Sequence, residues 1–152
     1  FGGVQSPLAY QDGVVFVPVV NLPFTYTDTA ANLDLQTAQG ALVALDARDG
    51  AMVWQTEVPT FFAGGATVAN DLVFGAGLDG LVRAFAIATG EEVWQWQAPA
   101  GINAPLAIAG DLLLVPAGGP FFPAADVPPG QGALIALRLG GVAATPVVTP
   151  VG

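Results

Sequence analysis

The sequence has no cysteine, no histidine and no lysine, and its 152 residues carry three bases, Arg48, Arg83 and Arg138. Without Cys and His there is no zinc or haem ligand set, no thiol nucleophile and no His-based triad. There is also no disulfide from which to read a redox compartment. Three scattered arginines against 12 acids give a formal charge of −9. Phosphate backbones need clustered positive charge, so no nucleic acid is expected as a partner. Long apolar runs are missing too, although 53% of the residues are apolar, because 20 glycines and 13 prolines interrupt them. A transmembrane helix needs about 20 uninterrupted apolar residues, so no membrane span is expected. The longest weakly charged stretch, Gly101 to Ala125, is itself broken by Asp111 and by several Gly and Pro residues. The chain opens Phe1-Gly2-Gly3, with no initiator Met and no basic leader, which predicts a processed chain or a fragment. The chemistry that remains is that of carboxylates, hydroxyls, amides and the backbone.

What is present is a repeat. Gly40 to Trp54 (GALVALDARDGAMVW) recurs 40 residues later as Gly80 to Trp94 (GLVRAFAIATGEEVW). Over residues 40–59 and 80–99, seven of twenty positions are identical, among them Gly50/Gly90, Trp54/Trp94, Gln55/Gln95 and Pro59/Pro99. A partial third copy starts at Gly132 (GALIAL) and loses the Gly-x-x-x-Trp ending. A second segment, Gly3 to Tyr10 (GVQSPLAY), matches Gly101 to Ile108 (GINAPLAI) at an offset of 98. With insertions near Asn21–Gln39 and Gly118–Gln131 removed, the chain reduces to three units of about 40 residues, the length of a propeller blade.

The middle unit predicts four strands: Gly64–Ala69, Leu72–Ala76, Leu81–Ile87 and Glu91–Gln97. Turns at Asn70-Asp71, Asp79-Gly80 and Thr89-Gly90 separate them. No segment shows a capped 3.6-residue apolar period, so no helix is expected. The reading is therefore all-β: four-stranded antiparallel blades of a β-propeller, about three present. Blades are expected at about 1–59, 60–99 and 100–141, with a tail over 142–152. Both insertions fall between second and third strands, on the face that also receives the crossovers Val58–Gly64 and Ala98–Asn103. Binding sites concentrate on loops carried by a rigid scaffold, so this is the candidate functional face. A closed propeller has about 4–8 blades, so three leave open sheet edges. The expected partners are the remaining blades of the same polypeptide, preceding Phe1, or further copies of this chain.

The segments Ala44–Trp54 and Ala84–Trp94 resemble the pyrroloquinoline quinone (PQQ) repeat, Ala-x-Asp-x-x-Thr-Gly-x-x-x-Trp, of quinoprotein alcohol dehydrogenases. The first copy keeps Asp46 and has Asp49 for Thr; the second keeps Thr89 and has Ala86 for Asp. Gly64–Gly80 and Gly101–Pro105 also resemble the last blades of these enzymes. The resemblance implies oxidation of alcohols or sugars with PQQ and Ca²⁺ in a periplasmic or extracellular setting. The catalytic Asp would lie earlier in a full-length enzyme, so this piece by itself is expected to be inactive. It also implies that Trp54 and Trp94 dock between adjacent blades. Their burial would contribute on the order of 2–3 kcal/mol each. The repeat's Asp and Thr would tie their turns to nearby backbone. Non-catalytic propellers carry the same repeat, including one in outer-membrane protein assembly. The alternative is therefore a protein-binding scaffold in the cell envelope.

Ile102 and Asn103, at the start of the third unit's first strand, are the expected cofactor contacts. No catalytic or metal-ligating residue is assigned. Asp12, Asp49, Asp71, Asp79 and Asp111 are expected to serve turns. Asp28, Asn32 and Asp34 offer oxygen ligands at a spacing that fits a solvated loop better than a Ca²⁺ loop. Glu91 and Glu92 are expected to face solvent. The pairs Phe61-Phe62 and Phe121-Phe122 would pack under their own loops or form an apolar rim.

Overall fold

Asp12 and Gly13 both take left-handed backbone, at φ 50 and 85, and turn one strand back onto the next in the geometry that matches strand twist. Asn70 (φ 54) and Gly110 (φ 61) lead the corresponding turns of the second and third repeats. These turns recur through a computed structural model that describes residues 2–27, 30–34, 37–118 and 132–140, without the side chains of 30–33. The segments 119–131 and 141–152, with Phe121, Phe122 and the expected tail, lie outside the described residues, as does Asp28.

Among the described residues there is no helix. The first sheet combines β1 (Gly2–Gly3), β2 (Ala9–Gln11), β3 (Val14–Asn21), β6 (Gln39–Asp46) and β7 (Met52–Val58). β1 and β2 both pair with β3, so together they form one interrupted inner strand. The second sheet runs β8 (Ala66–Ala69), β9 (Leu72–Ala76), β10 (Leu81–Ala86), β11 (Glu92–Gln97), all antiparallel. The third holds β12 (Ala107–Ala109), β13 (Leu112–Ala117) and β14 (Ala133–Arg138). The arrangement is that of a partial β-propeller. The first insertion contains a hairpin that the turn signals did not reveal, β4 (Phe24–Thr27) with β5 (Ala30–Leu33). Its Phe24 and Tyr26 rings lie 6.0 Å apart on an exposed surface.

The core lies between sheets. Phe16, Leu42, Ala44 and Val58 of the first sheet pack against Phe62, Ala66, Val73 and Phe85 of the second unit. Ala76, Val82 and Ala98 of the second unit pack against Ile102, Leu106, Val115 and Ile135 of the third. Side chains alternate across a strand, so Val73 and Phe85 serve one interface while Ala76 and Val82 serve the other. A middle sheet covered on both faces reads as unbroken apolar sequence, which is why its strands show little polar alternation. β14 is covered on one face only, with Ala133 and Ile135 buried and Leu134 and Ala136 exposed.

Candidate functional site

The candidate face is built where second-to-third turns meet the crossovers. In the second blade the turn Gly77–Gly80 receives the crossover directly: Ala98 N donates to Gly80 O (2.8 Å) and Ile102 N to Gly77 O (2.9 Å). Gly118, at the entry to the second insertion, donates its N–H to Gly101 O at 3.0 Å. The Gly77–Gly80 turn, the following crossover and the entry to the second insertion therefore lie together. Close approach there requires glycine. A Cβ on Gly40 would stand 2.8 Å from Thr60 O, and one on Gly80 would stand 2.9 Å from Ala100 O.

Ile102 is fully buried, in the cluster that joins the second and third blades. Its equivalent one repeat earlier, Phe62, is 1% exposed and meets Phe85 edge-on at 5.9 Å. This is an interblade packing position, and its side chain is closed to ligand in this chain. Asn103, the next residue, is exposed on the candidate face. The Phe61-Phe62 pair packs inward: Phe62 as above, and Phe61 against Val20, Leu22 and Ala38.

Two of the expected turn carboxylates, Asp49 and Asp79, are seen to serve their turns. Asp49 Oδ1 accepts Ala51 N (2.9 Å), Asp79 Oδ1 accepts Leu81 N (3.0 Å), and Asp34 accepts both Thr37 N and Thr37 Oγ1. Thr89 Oγ1 accepts Glu91 N at 3.2 Å. Asp46 accepts Arg48 N and, through both oxygens, the Arg48 guanidinium. These bonds, side chain first and backbone second, hold the Asp46 carboxyl at about 2. Asp111 forms an ion pair with Arg138.

Sequence reasoning missed one residue. Arg83 is 6% exposed and lies between Asp79 (3.5 Å) and Glu92 (3.3 Å), with Gln95 Oε1 at 3.4 Å. Its Nε is buried without a partner. Glu92 therefore does more than face solvent: it compensates a buried cation. The available signal was a single arginine inside an otherwise apolar strand, Leu81-Val82-Arg83-Ala84-Phe85.

Among the described residues no three of His, Cys, Asp and Glu converge where a metal ion could sit. With Ile102 closed, Asn103 is the one expected cofactor contact that presents a polar side chain to solvent. The described residues thus do not by themselves build a PQQ and Ca²⁺ site, and no chemical step is assigned to them. No helix among them is long and apolar enough to cross a membrane.

The Trp54 indole N–H donates to Ile87 O at 2.7 Å, and Thr56 Oγ1 donates to Gly90 O at 2.6 Å. The first blade is thereby fastened to the last turn of the second. Trp94 differs: it is 40% exposed and meets Phe74 edge-on at 6.5 Å. The counterpart of Gly90 in the third unit is residue 142, outside the described residues.

Comparison with known proteins agrees with this architecture. A quinoprotein ethanol dehydrogenase from Pseudomonas putida is 39% identical over 67 residues, which is 43% of this chain and 11% of the relative. The solved quinohemoprotein alcohol dehydrogenase of Pseudomonas putida HK5 superposes over 96% of this chain and 28% of its own, at 24% identity and a TM-score of 0.66. BamB from Moraxella catarrhalis superposes over 89% of this chain and 33% of its own, at 21% identity and a TM-score of 0.56. The chain thus spans about a tenth of the curated relative and about a third or less of these solved chains. A PQQ-repeat family model described as outer membrane protein assembly factor BamB matches residues 2–142. A match over nearly the whole chain, together with stacked antiparallel sheets and the Trp54 dock, is decisive: the chain belongs to this family of PQQ-repeat propellers.

Proposed function

We propose that this chain forms blades of a PQQ-dependent, dehydrogenase-like propeller that oxidises alcohols or sugars outside the cytoplasm. It would supply scaffold and one cofactor contact, and the reacting groups would come from elsewhere in the ring. The observation that carries the reading is the 39% identity to a quinoprotein ethanol dehydrogenase over 67 residues. Within this chain, Asn103 is the proposed cofactor contact: an exposed amide at the crossover end, anchored by the buried Ile102 beside it. Its amide N–H would donate to quinone oxygens, which only accept, while the described blades hold that position.

The test is PQQ titration, with Ca²⁺ present, of a polypeptide carrying these blades in a complete ring, beside its Asn103→Ala variant. The reading predicts saturable binding, weakened about tenfold by the substitution, as loss of one hydrogen bond in a closed site would do. Absence of PQQ binding contradicts it. A second reading, a non-enzymatic protein-binding scaffold of the cell envelope, is supported by the family model over residues 2–142. It predicts no PQQ binding and retention of a protein partner through the long loops.

A further inference from the structure

Arg83 occupies a position that the repeat otherwise gives to an apolar residue. Its counterparts 40 residues earlier and 52 later are Val43 and Ile135, and those of Asp79 are Gln39 and Gln131. A buried arginine carries a desolvation cost that valine and isoleucine avoid, and here its Nε also has no partner. Packing therefore does not account for the residue, and its contacts must. Two of them, Glu92 and Gln95, lie on or beside the neighbouring strand β11. The third, Asp79, lies in the turn that holds the crossover.

The Asp79 carboxylate spans this junction. Its Oδ1 accepts Leu81 N at 3.0 Å, and its Oδ2 stands 3.5 Å from the Arg83 guanidinium. The carbonyls of the same turn hold the crossover. Gly77 O accepts Ile102 N (2.9 Å), Asp79 O accepts the Gln97 side-chain amide (3.0 Å), and Gly80 O accepts Ala98 N (2.8 Å). Gly101 passes so near that a Cβ on it would stand 2.6 Å from Leu78 O. Each residue of the turn thus meets the segment that leads to Asn103. The first unit has Gln39 and Val43 in place of the ion pair, and its crossover leads to Ala63, with no polar side chain at the position of Asn103.

We propose that Arg83 is a positioning residue for Asn103. Through Asp79 it fixes the Gly77–Gly80 turn, and the turn's carbonyls fix the crossover that presents the Asn103 amide. The use of that amide rests on the cofactor reading above, whereas the coupling from Arg83 to the crossover does not.

Amide hydrogen exchange, in a polypeptide carrying these blades in a complete ring and with no cofactor added, tests the coupling. In Arg83→Met the Ile102 N–H should exchange at least tenfold faster, while the β9–β10 ladder keeps its native rates. Asp79→Asn retains an acceptor for Leu81 N but loses the charge, and should do the same. The two residues act as one unit, so the double variant should exceed neither single one. Arg83→Lys restores a cation and should return Ile102 to within about threefold of its native rate. Glu92→Gln leaves Asp79 paired and should leave Ile102 protected. Native protection of Ile102 in Arg83→Met or Asp79→Asn, additive effects, or no rescue by lysine overturns the proposal. Should Arg83→Met not fold, Asp79→Asn decides by itself.

PQQ titration with Ca²⁺ then reads the consequence at Asn103. Arg83→Met should weaken binding about tenfold, and should weaken Asn103→Ala no further. Further weakening in the Asn103→Ala background overturns the assignment of Arg83 to Asn103. No PQQ binding by the unsubstituted ring defeats the cofactor reading, and the exchange rates then decide the positioning alone.

Discussion

Trp54 and Gly90 stand in ring-to-backbone contact across a blade boundary, and the geometry admits no side chain at residue 90. Two substitutions separate the parts of this contact. Trp54→Phe keeps most of the ring and loses the bond to Ile87 O, which should cost about 1 kcal/mol. Trp54→Ala also empties the site beside Phe16, whose ring centroid lies 5.9 Å away, and should cost about 3 kcal/mol. Trp94→Ala, at an exposed ring, should cost about 1 kcal/mol or less. Urea denaturation of the three variants checks the order.

Gly90→Ala and Gly50→Ala impose the same backbone strain, since both residues have φ near +73 to +74. The strain alone should cost about 1 kcal/mol. Only residue 90 faces a tryptophan ring, so Gly90→Ala should cost a further 1–3 kcal/mol or so from overpacking. Equal losses for the two variants would contradict the docking geometry.

Arg83 predicts an asymmetry. Arg83→Met removes the buried cation and its unpaired Nε while keeping an apolar stem, and should change stability by less than about 1 kcal/mol. The double substitution Asp79→Asn with Glu92→Gln leaves the cation buried without a counter-charge, and should cost about 2–3 kcal/mol. Thermal unfolding at constant pH distinguishes the two.

Asp46 links the first repeat turn to pH. Its carboxyl is held at about 2, below the ordinary 3.8, chiefly by the Arg48 side chain. A lowered value in the folded state means that its contribution is complete above the ordinary value and disappears as pH falls toward 2. The Asp46 carboxyl resonance should therefore titrate near 2, and Arg48→Ala should move that midpoint upward toward 3.8.

The repeat made much of the fold legible. Glycine-marked turns and a 40-residue offset fix the order of strands, and β9 spans Leu72–Ala76 as its flanking turns require. Less was legible where side chains meet across blades. Ile102 and Asn103 are neighbours in sequence, yet one is sealed in an interface and the other is open. Both lie in the crossover ahead of β12 (Ala107–Ala109) rather than at the start of a strand as expected. Trp54 and Trp94 occupy equivalent repeat positions but different surroundings, since docking depends on the following blade's turn rather than on the strand itself. Arg83 was obscure for the same reason: its partners come from a turn and from an adjacent strand. The β4–β5 hairpin carried its own signal, the alternation Phe24-Thr25-Tyr26-Thr27, inside an insertion without a repeat to compare.

The account rests on blades fastened through the Trp54 indole, and hydrogen exchange at the three tryptophan Nε1–H groups measures this directly. Trp54 should be strongly protected by its 2.7 Å bond to Ile87 O, and the exposed Trp94 should exchange near the free rate. Rapid exchange at Trp54, or better protection of Trp94 than of Trp54, would contradict the stacked-blade arrangement.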